Sequence, residues 1–236
     1  MNADYKEVSV YYDKLWADLE KQNLTKPNSR HYTILKNLKR AGLKNDSVVL
    51  EIGCGIGTLT ALVAKNISSG FIVAADISPE TIDFDKHKHS SFKNIEFLVS
   101  DMTNFSHTKK FDFVVLPDVL EHIPAEAHGN IFKTIRTLIH DKSVVLINIP
   151  DPRCLEWFHQ YKPDMLQIID QPLYTDKLLS AIYPHGFYLE SLESYALGYY
   201  QHDYQSLILR PNIALKEMVQ KTKMGQIIAK FKARFL

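Results

Sequence analysis

Cysteine is almost missing from this sequence. Cys54 and Cys154 stand about a hundred residues apart and supply neither a disulfide framework nor a CxxC metal knuckle. No run approaches the ~18 continuous apolar residues of a membrane span. The start, Met-Asn-Ala-Asp-Tyr-Lys-Glu, has no basic stretch leading into an apolar one. Excess charge is missing too: 28 Lys and Arg against 27 Asp and Glu leave a net +1, so no basic stripe for nucleic acid is expected. There is no internal repeat and no low-complexity tract. These absences suggest a soluble, cytoplasmic chain whose partner is not nucleic acid. What is present, 236 residues of which 45% are hydrophobic and 23% charged, is enough for one sizeable core.

Tyr5, Val8, Tyr12, Leu15, Trp16 and Leu19 recur at helical spacing, and a second helix with Tyr32, Leu35 and Leu38 follows a cap at Asn28 or Ser29, ending near Gly42. Residues 1–42 therefore read as a helical cap. From residue 47 the rhythm changes to short runs rich in Val and Ile: Ser47 to Ile52, Phe71 to Ala75, Ile95 to Val99, Phe111 to Leu116 and Ser143 to Ile149. Because these runs do not alternate with polar residues, they read as strands buried on both faces, the pattern of a doubly wound α/β sheet. Residues 43–211 form this domain, with an insertion over the sheet at about 150–175 and two late runs, from Gly186 and from Tyr204, close enough to pair as an antiparallel hairpin. Residues 212–236 differ, placing Leu215, Met218, Val219, Ile227, Ile228, Phe231 and Phe235 among lysines. Such a basic amphipathic tail reads either as a contact for a membrane surface or partner, or as a terminal helix docked on its own domain or on a second subunit.

The first strand runs into Glu51-Ile-Gly53-Cys54-Gly55-Ile-Gly57-Thr58, a glycine turn opening a helix. Glycines at alternate positions let the chain bend and let a ligand approach without a Cβ in the way. The dinucleotide fingerprint needs its third glycine one place later, where this chain has Thr58, which argues against a nicotinamide cofactor. Glu51 would repel a pyrophosphate and suits a cation. Asp76 ends the second strand, where an acid can accept from ribose hydroxyls. Asp101 ends the third, placed to accept from an adenine amino group while Ile77 and Met102 cover the ring. Any one of these acids could equally be a helix cap; their recurrence at three successive strand ends is the signal.

Together these residues resemble the class I S-adenosylmethionine-dependent methyltransferases over roughly residues 45–150. Phe111-Asp-Phe-Val-Val-Leu-Pro117-Asp118-Val-Leu-Glu121-His122 is similar to that family's fourth-strand motif. The resemblance implies a Rossmann-like, mainly parallel seven-stranded sheet with helices on both faces, its last strand inserted antiparallel. It also implies S-adenosylmethionine as cofactor, contacted by Glu51, Gly53, Cys54, Gly55, Gly57, Asp76, Ile77, Asp101, Met102 and Pro117.

Methyl transfer from a sulfonium is an in-line displacement that depends chiefly on positioning. Where a base is used, Asp118 and His122 are the candidates, ahead of His31, Asp151, His185 and His202. His122 reads equally as a packing histidine. Asp118-x-x-Glu121-His122 is also similar to a segment of ubiquinone-pathway O-methyltransferases that binds a divalent cation, but no fourth ligand is identifiable and a metal is not expected. Tyr12, Tyr32, Tyr174 and Tyr199, with Tyr11, Trp16, Trp157, Phe158, Tyr161 and Tyr200, are the aromatic lid candidates over a small-molecule acceptor. The expected acceptor atom is a hydroxyl oxygen; nitrogen, carbon, and a non-catalytic cofactor-binding scaffold are the alternatives.

Overall fold

The computed structural model describes residues 26–215 and 217–233. The expected first helix, with Tyr11, Tyr12 and Trp16, lies outside the described residues. Helix α1 spans Ser29–Arg40 and is capped by Asn28, whose Oδ1 accepts from the backbone N–H of Arg30 at 3.1 Å and of His31 at 3.3 Å. His31 Nδ1 accepts the Asn28 N–H in return at 3.1 Å, completing a reciprocal cap that satisfies otherwise orphaned donors.

Strands and helices then alternate: β1 Val48–Ile52, α2 Thr58–Ala64, β2 Phe71–Asp76, α3 Pro79–Lys88, β3 Ile95–Val99, β4 Phe111–Pro117, α4 His128–Leu138 and β5 Ile139–Pro150. Helices α5, Pro152–Tyr161, and α6, Thr175–Ile182, lead to β6, Phe187–Tyr195, and β7, Tyr204–Pro211, followed by α7, Lys223–Lys232. The seven strands lie in the order β3-β2-β1-β4-β5-β7-β6. All neighbours are parallel except that β7 runs antiparallel to both β5 and β6. Strand β5 begins earlier than its apolar run, because Ile139 already pairs with Phe111 across a register shift that the polar His140 to Lys142 conceal.

Two cores explain why the strand runs do not alternate. Val49, Val115 and Leu146 pack with Ile34, Leu38, Leu59 and Val63 on one face of the sheet. Leu50, Val114 and Val145 pack with Phe132, Ile135 and Phe187 on the other. Successive residues of one strand thus enter opposite cores, and both must be apolar. Burial of such side chains stabilises the fold by ~1.5–3 kcal/mol each.

The tail behaves otherwise. Met224, Ile227 and Ile228 of α7 are exposed, so among the described residues the expectation of a terminal helix docked on its own domain does not hold. No helix of the described residues is long and apolar enough to cross a membrane.

Candidate active site

The carboxyl ends of β1 to β4 open onto a cavity of about 580 Å³. Its wall includes Glu51, Gly53, Cys54, Gly55, Asp76, Ile77, Asp101, Met102 and Pro117, together with Arg30 and His31 from α1. The glycine turn is pinned to β2, since the N–H groups of Gly53 and Cys54 both donate to Ala75 O at 2.7 and 3.1 Å. Gly53 has φ +75°, and a Cβ there would lie 2.3 Å from Val119 Cγ2. Only glycine fits this position. Gly57, expected among the cofactor contacts, does not line the cavity. Its own Cβ would lie 2.8 Å from His89 Nε2 and 3.1 Å from Asp85 Oδ1, so this glycine makes room for the end of α3.

Asp76 joins two segments of the rim. Its Oδ2 accepts from Gly55 N at 2.9 Å and its Oδ1 from Ser78 N at 3.0 Å, which fixes the carboxylate while leaving its edge on the cavity. Asp101 is exposed and accepts from Thr103 N at 2.8 Å. Met102 beside it is buried in left-handed backbone at φ 63°. Glu51 is fully buried; Oε2 accepts from Thr60 Oγ1 at 2.6 Å, and Oε1 has no hydrogen-bond partner among the described residues. Burial pushes its carboxyl up to about 8, against the Thr60 hydrogen bond and reinforced by the charge of Asp76.

A second cavity, of about 250 Å³, adjoins the first and shares Arg30, Asp118, His122 and Gln167 with it. A polar network forms the partition. Asp118, at φ 55°, pairs with Arg30 Nη1 and accepts from Asn148 Nδ2 at 3.0 Å, and its N–H donates to Asn148 O at 2.8 Å. Asn148 Oδ1 accepts from the Tyr195 hydroxyl, and Arg30 Nη1 reaches the Tyr204 oxygen at 3.4 Å. Asp118 therefore meets an arginine and an asparagine before any substrate.

His122 Nδ1 lies 2.7 Å from Ile169 O and 3.1 Å from Asp170 Oδ1, with Nε2 at 3.9 Å from Glu121 Oε1. Burial lowers its pKa, but the hydrogen bond to Asp170, the Glu121 charge and the Ile169 carbonyl outweigh that and lift it to about 9. At neutral pH this imidazole already carries the proton that a base would have to accept. His31 spends Nδ1 on the cap of α1, and burial, with the Arg30 charge, lowers it to about 4. Asp151 is the N-cap of α5 and is held by Arg153, Nε to Oδ1 at 3.0 Å and Nη2 to Oδ2 at 2.9 Å. His185 and His202 line neither cavity.

Of the aromatic lid candidates, Tyr199 and Phe158 line the smaller cavity, their rings 6.0 Å apart edge to face, with Trp157 against both. Tyr32 and Tyr174 do not reach either cavity. Tyr32, two residues past Arg30 and so about 200° around α1, is 54% exposed. The Tyr174 hydroxyl donates outward to Glu156 Oε2 at 3.0 Å. Among the described residues no three His, Cys, Asp or Glu side chains are grouped to hold a metal, since Asp118 turns to Arg30 instead of joining Glu121 and His122.

Arg30, Asn148, Asp170 and Tyr204 were not legible as site residues. Two carried a signal. Arg30 places a cation in the first turn of a helix with no acid there, against the helix dipole. Asn148 is the one amide inside the apolar run from Val144 to Ile149.

A parallel sheet with one antiparallel strand, a glycine turn after β1 and acids at the ends of the next strands define the Rossmann-like S-adenosylmethionine-dependent methyltransferases of class I. The model of the methyltransferase domain family matches residues 43–196, and the chain belongs to that family. It is 25% identical over 132 residues to Nodulation protein S of Bradyrhizobium diazoefficiens, covering 55% of this chain and 61% of that one. A second Nodulation protein S, from Rhizobium tropici, is 29% identical over 112 residues, 47% of this chain and 46% of its own. The chain thus spans about half the length of these curated relatives. Its fold matches magnesium protoporphyrin IX methyltransferase from Synechocystis PCC 6803, solved with bound S-adenosylhomocysteine, at a TM-score of 0.71 and 15% identity, covering 88% of this chain and all of that one.

Proposed function

We propose that this chain is an S-adenosylmethionine-dependent methyltransferase that moves a methyl group to a small molecule held in the smaller cavity. The observation that carries the reading is Glu51, a buried carboxyl with one oxygen unpaired, at the foot of a glycine turn in which Gly53 leaves no room for a Cβ. A buried carboxylate needs a cation, and the amino group of the methionine moiety is one. Asp76 then receives the ribose hydroxyls, Asp101 the adenine amino group, and Ile77 and Met102 the faces of the ring. Gly53, Cys54, Gly55 and Pro117 border the chain that joins them. When bound, the cofactor supplies an electrophilic methyl on a sulfonium. The protein's own contribution is orientation at the partition, where Arg30 and Asn148 hold Asp118, and His122 is fixed by Asp170.

The acceptor atom expected from the sequence is a hydroxyl oxygen. With His122 protonated, removal of that proton falls to Asp118, once the acceptor displaces Arg30 from it, or to water. The relatives' names do not choose the atom. The exposed apolar residues of α7 between lysines are read as a contact for a membrane surface or for a second copy of the chain, separable by vesicle sedimentation and analytical ultracentrifugation.

Calorimetry with S-adenosylmethionine and S-adenosylhomocysteine tests the central reading. Micromolar binding of both is expected, and no binding at hundreds of micromolar would overturn it. Mass spectrometry of methyl transfer into a library of hydroxylated and aminated metabolites then identifies the acceptor.

A further inference from the structure

The smaller cavity contains one buried carboxyl that no hydrogen bond among the described residues satisfies. Four carboxyl groups line it, from Asp118, Glu121, Asp170 and Asp203, against the guanidinium of Arg30 and the imidazole of His122. Three of the four are already engaged. Asp118 pairs with Arg30, Asp170 with His122, and Asp203 accepts from Leu197 N and Gly198 N at 2.7 Å each. Glu121 is 1% exposed, and neither of its oxygens has a hydrogen-bond partner among the described residues; burial raises its carboxyl to about 8 against the charge of His122, whose Nε2 stands 3.9 Å away, too far for a hydrogen bond.

We infer that the methyl acceptor carries a protonated amino group, held in the smaller cavity by the Glu121 carboxylate beside the Phe158 and Tyr199 rings. This rests on the methyltransferase reading above and adds the chemical class of the acceptor. A buried carboxyl left without hydrogen bonds is costly, and an ammonium supplies those bonds together with the positive charge that favours its ionised form. Aromatic faces add to the preference for a cation over a neutral donor. An ammonium held in this way has no lone pair to give, so the amino group acts as the handle and a different atom of the acceptor receives the methyl. Glu121 lines the smaller cavity and not the larger, which suits a handle.

The probe is benzylamine, a phenyl ring bearing one ammonium at neutral pH, compared with benzyl alcohol of nearly the same shape. Both are titrated calorimetrically into the full chain saturated with S-adenosylhomocysteine. Benzylamine is expected to bind more tightly than benzyl alcohol by about tenfold or more, the size of one hydrogen bond to a charged group. Glu121→Gln removes that preference and leaves S-adenosylhomocysteine affinity unchanged, which also shows the variant is folded. Phe158→Leu weakens benzylamine more than benzyl alcohol. Equal affinity for the two probes, no binding of benzylamine, or a preference that survives Glu121→Gln would each overturn the inference. Failure of S-adenosylhomocysteine to bind at all would instead sink the methyltransferase reading on which it rests.

Discussion

Replacing Glu51 by Gln separates the two demands that the glycine turn makes on this side chain. In the free protein the carboxyl is pushed from its ordinary 4.5 up to about 8, chiefly by burial. Between those values the unfolded chain has lost a proton that the folded chain keeps, so stability falls as pH rises through that window and the whole loss is present above about 8. At ~1.4 kcal/mol per pH unit the gap corresponds to roughly 4–5 kcal/mol. Gln still accepts from Thr60 and has nothing to ionise, so it escapes this loss, at a fixed cost of about 1–3 kcal/mol for a buried amide donor left unpaired. Melting temperatures of the two proteins, measured without ligand from pH 5 to pH 9, are therefore expected to diverge in the variant's favour as pH rises, by on the order of 10 °C in total for a chain of this length. Glu121 is common to both proteins and cancels in the difference, whereas Asp85, whose carboxyl the Glu51 charge helps to raise, adds to the variant's advantage. Saturating S-adenosylhomocysteine reverses the order at high pH, because its ammonium pairs with the ionised carboxylate and has no such partner in the variant. A melting difference that stays flat across this pH range would refute the argument that burial holds the Glu51 proton.

Gly53→Ala places a methyl 2.3 Å from Val119 Cγ2 at a positive φ, and the melting temperature and S-adenosylhomocysteine affinity are both expected to fall, the backbone alone contributing about 1–2 kcal/mol. Asp76→Ala strips the acceptors from Gly55 N and Ser78 N, and calorimetry should show at least about a tenfold weaker S-adenosylhomocysteine. Asn148→Ala removes partners of both Asp118 and Tyr195; kcat/KM should drop by about tenfold or more while S-adenosylhomocysteine affinity stays within about threefold, and an equal loss in both would move the network to the cofactor side. Turnover should be indifferent to EDTA, since Asp118 is committed to Arg30; a loss restored by magnesium would contradict that commitment.

The lining of the larger cavity was legible because local sequence dictates it. A glycine turn after an apolar strand, and acids at the strand ends, are fixed by steps of a few residues within βαβ units, and the structure places Glu51, Asp76 and Asp101 around one cavity. Gly57 shows the limit: spacing reveals that a glycine is needed but not which neighbour demands it, here His89 and Asp85 from a helix some thirty residues on. The smaller cavity depends on long-range meetings. Arg30 reaches Asp118 from the other side of the domain's first strand, and Asp170 reaches His122 from beyond α5. Among the aromatic lid candidates, Tyr199 and Phe158 line the smaller cavity while Tyr32 and Tyr174 line neither, for a simpler reason. Composition counts Tyr32 and Tyr174 but carries no direction, and both side chains point to solvent.

Strand β7 lies between β5 and β6 in reverse, so the hairpin loop 196–203 returns to the same edge as the carboxyl ends of the parallel strands, with Tyr195, Tyr204 and Pro150 in register there. The larger cavity belongs to the carboxyl ends of β1 to β4, whereas this loop belongs to the far side of the sheet. Surface loops tolerate changes in length and sequence at little thermodynamic cost. The lining of the smaller cavity can therefore be changed by rewriting Ala196 to His202, a stretch that includes Tyr199 and is anchored by the buried Asp203, without touching the residues that line the larger cavity.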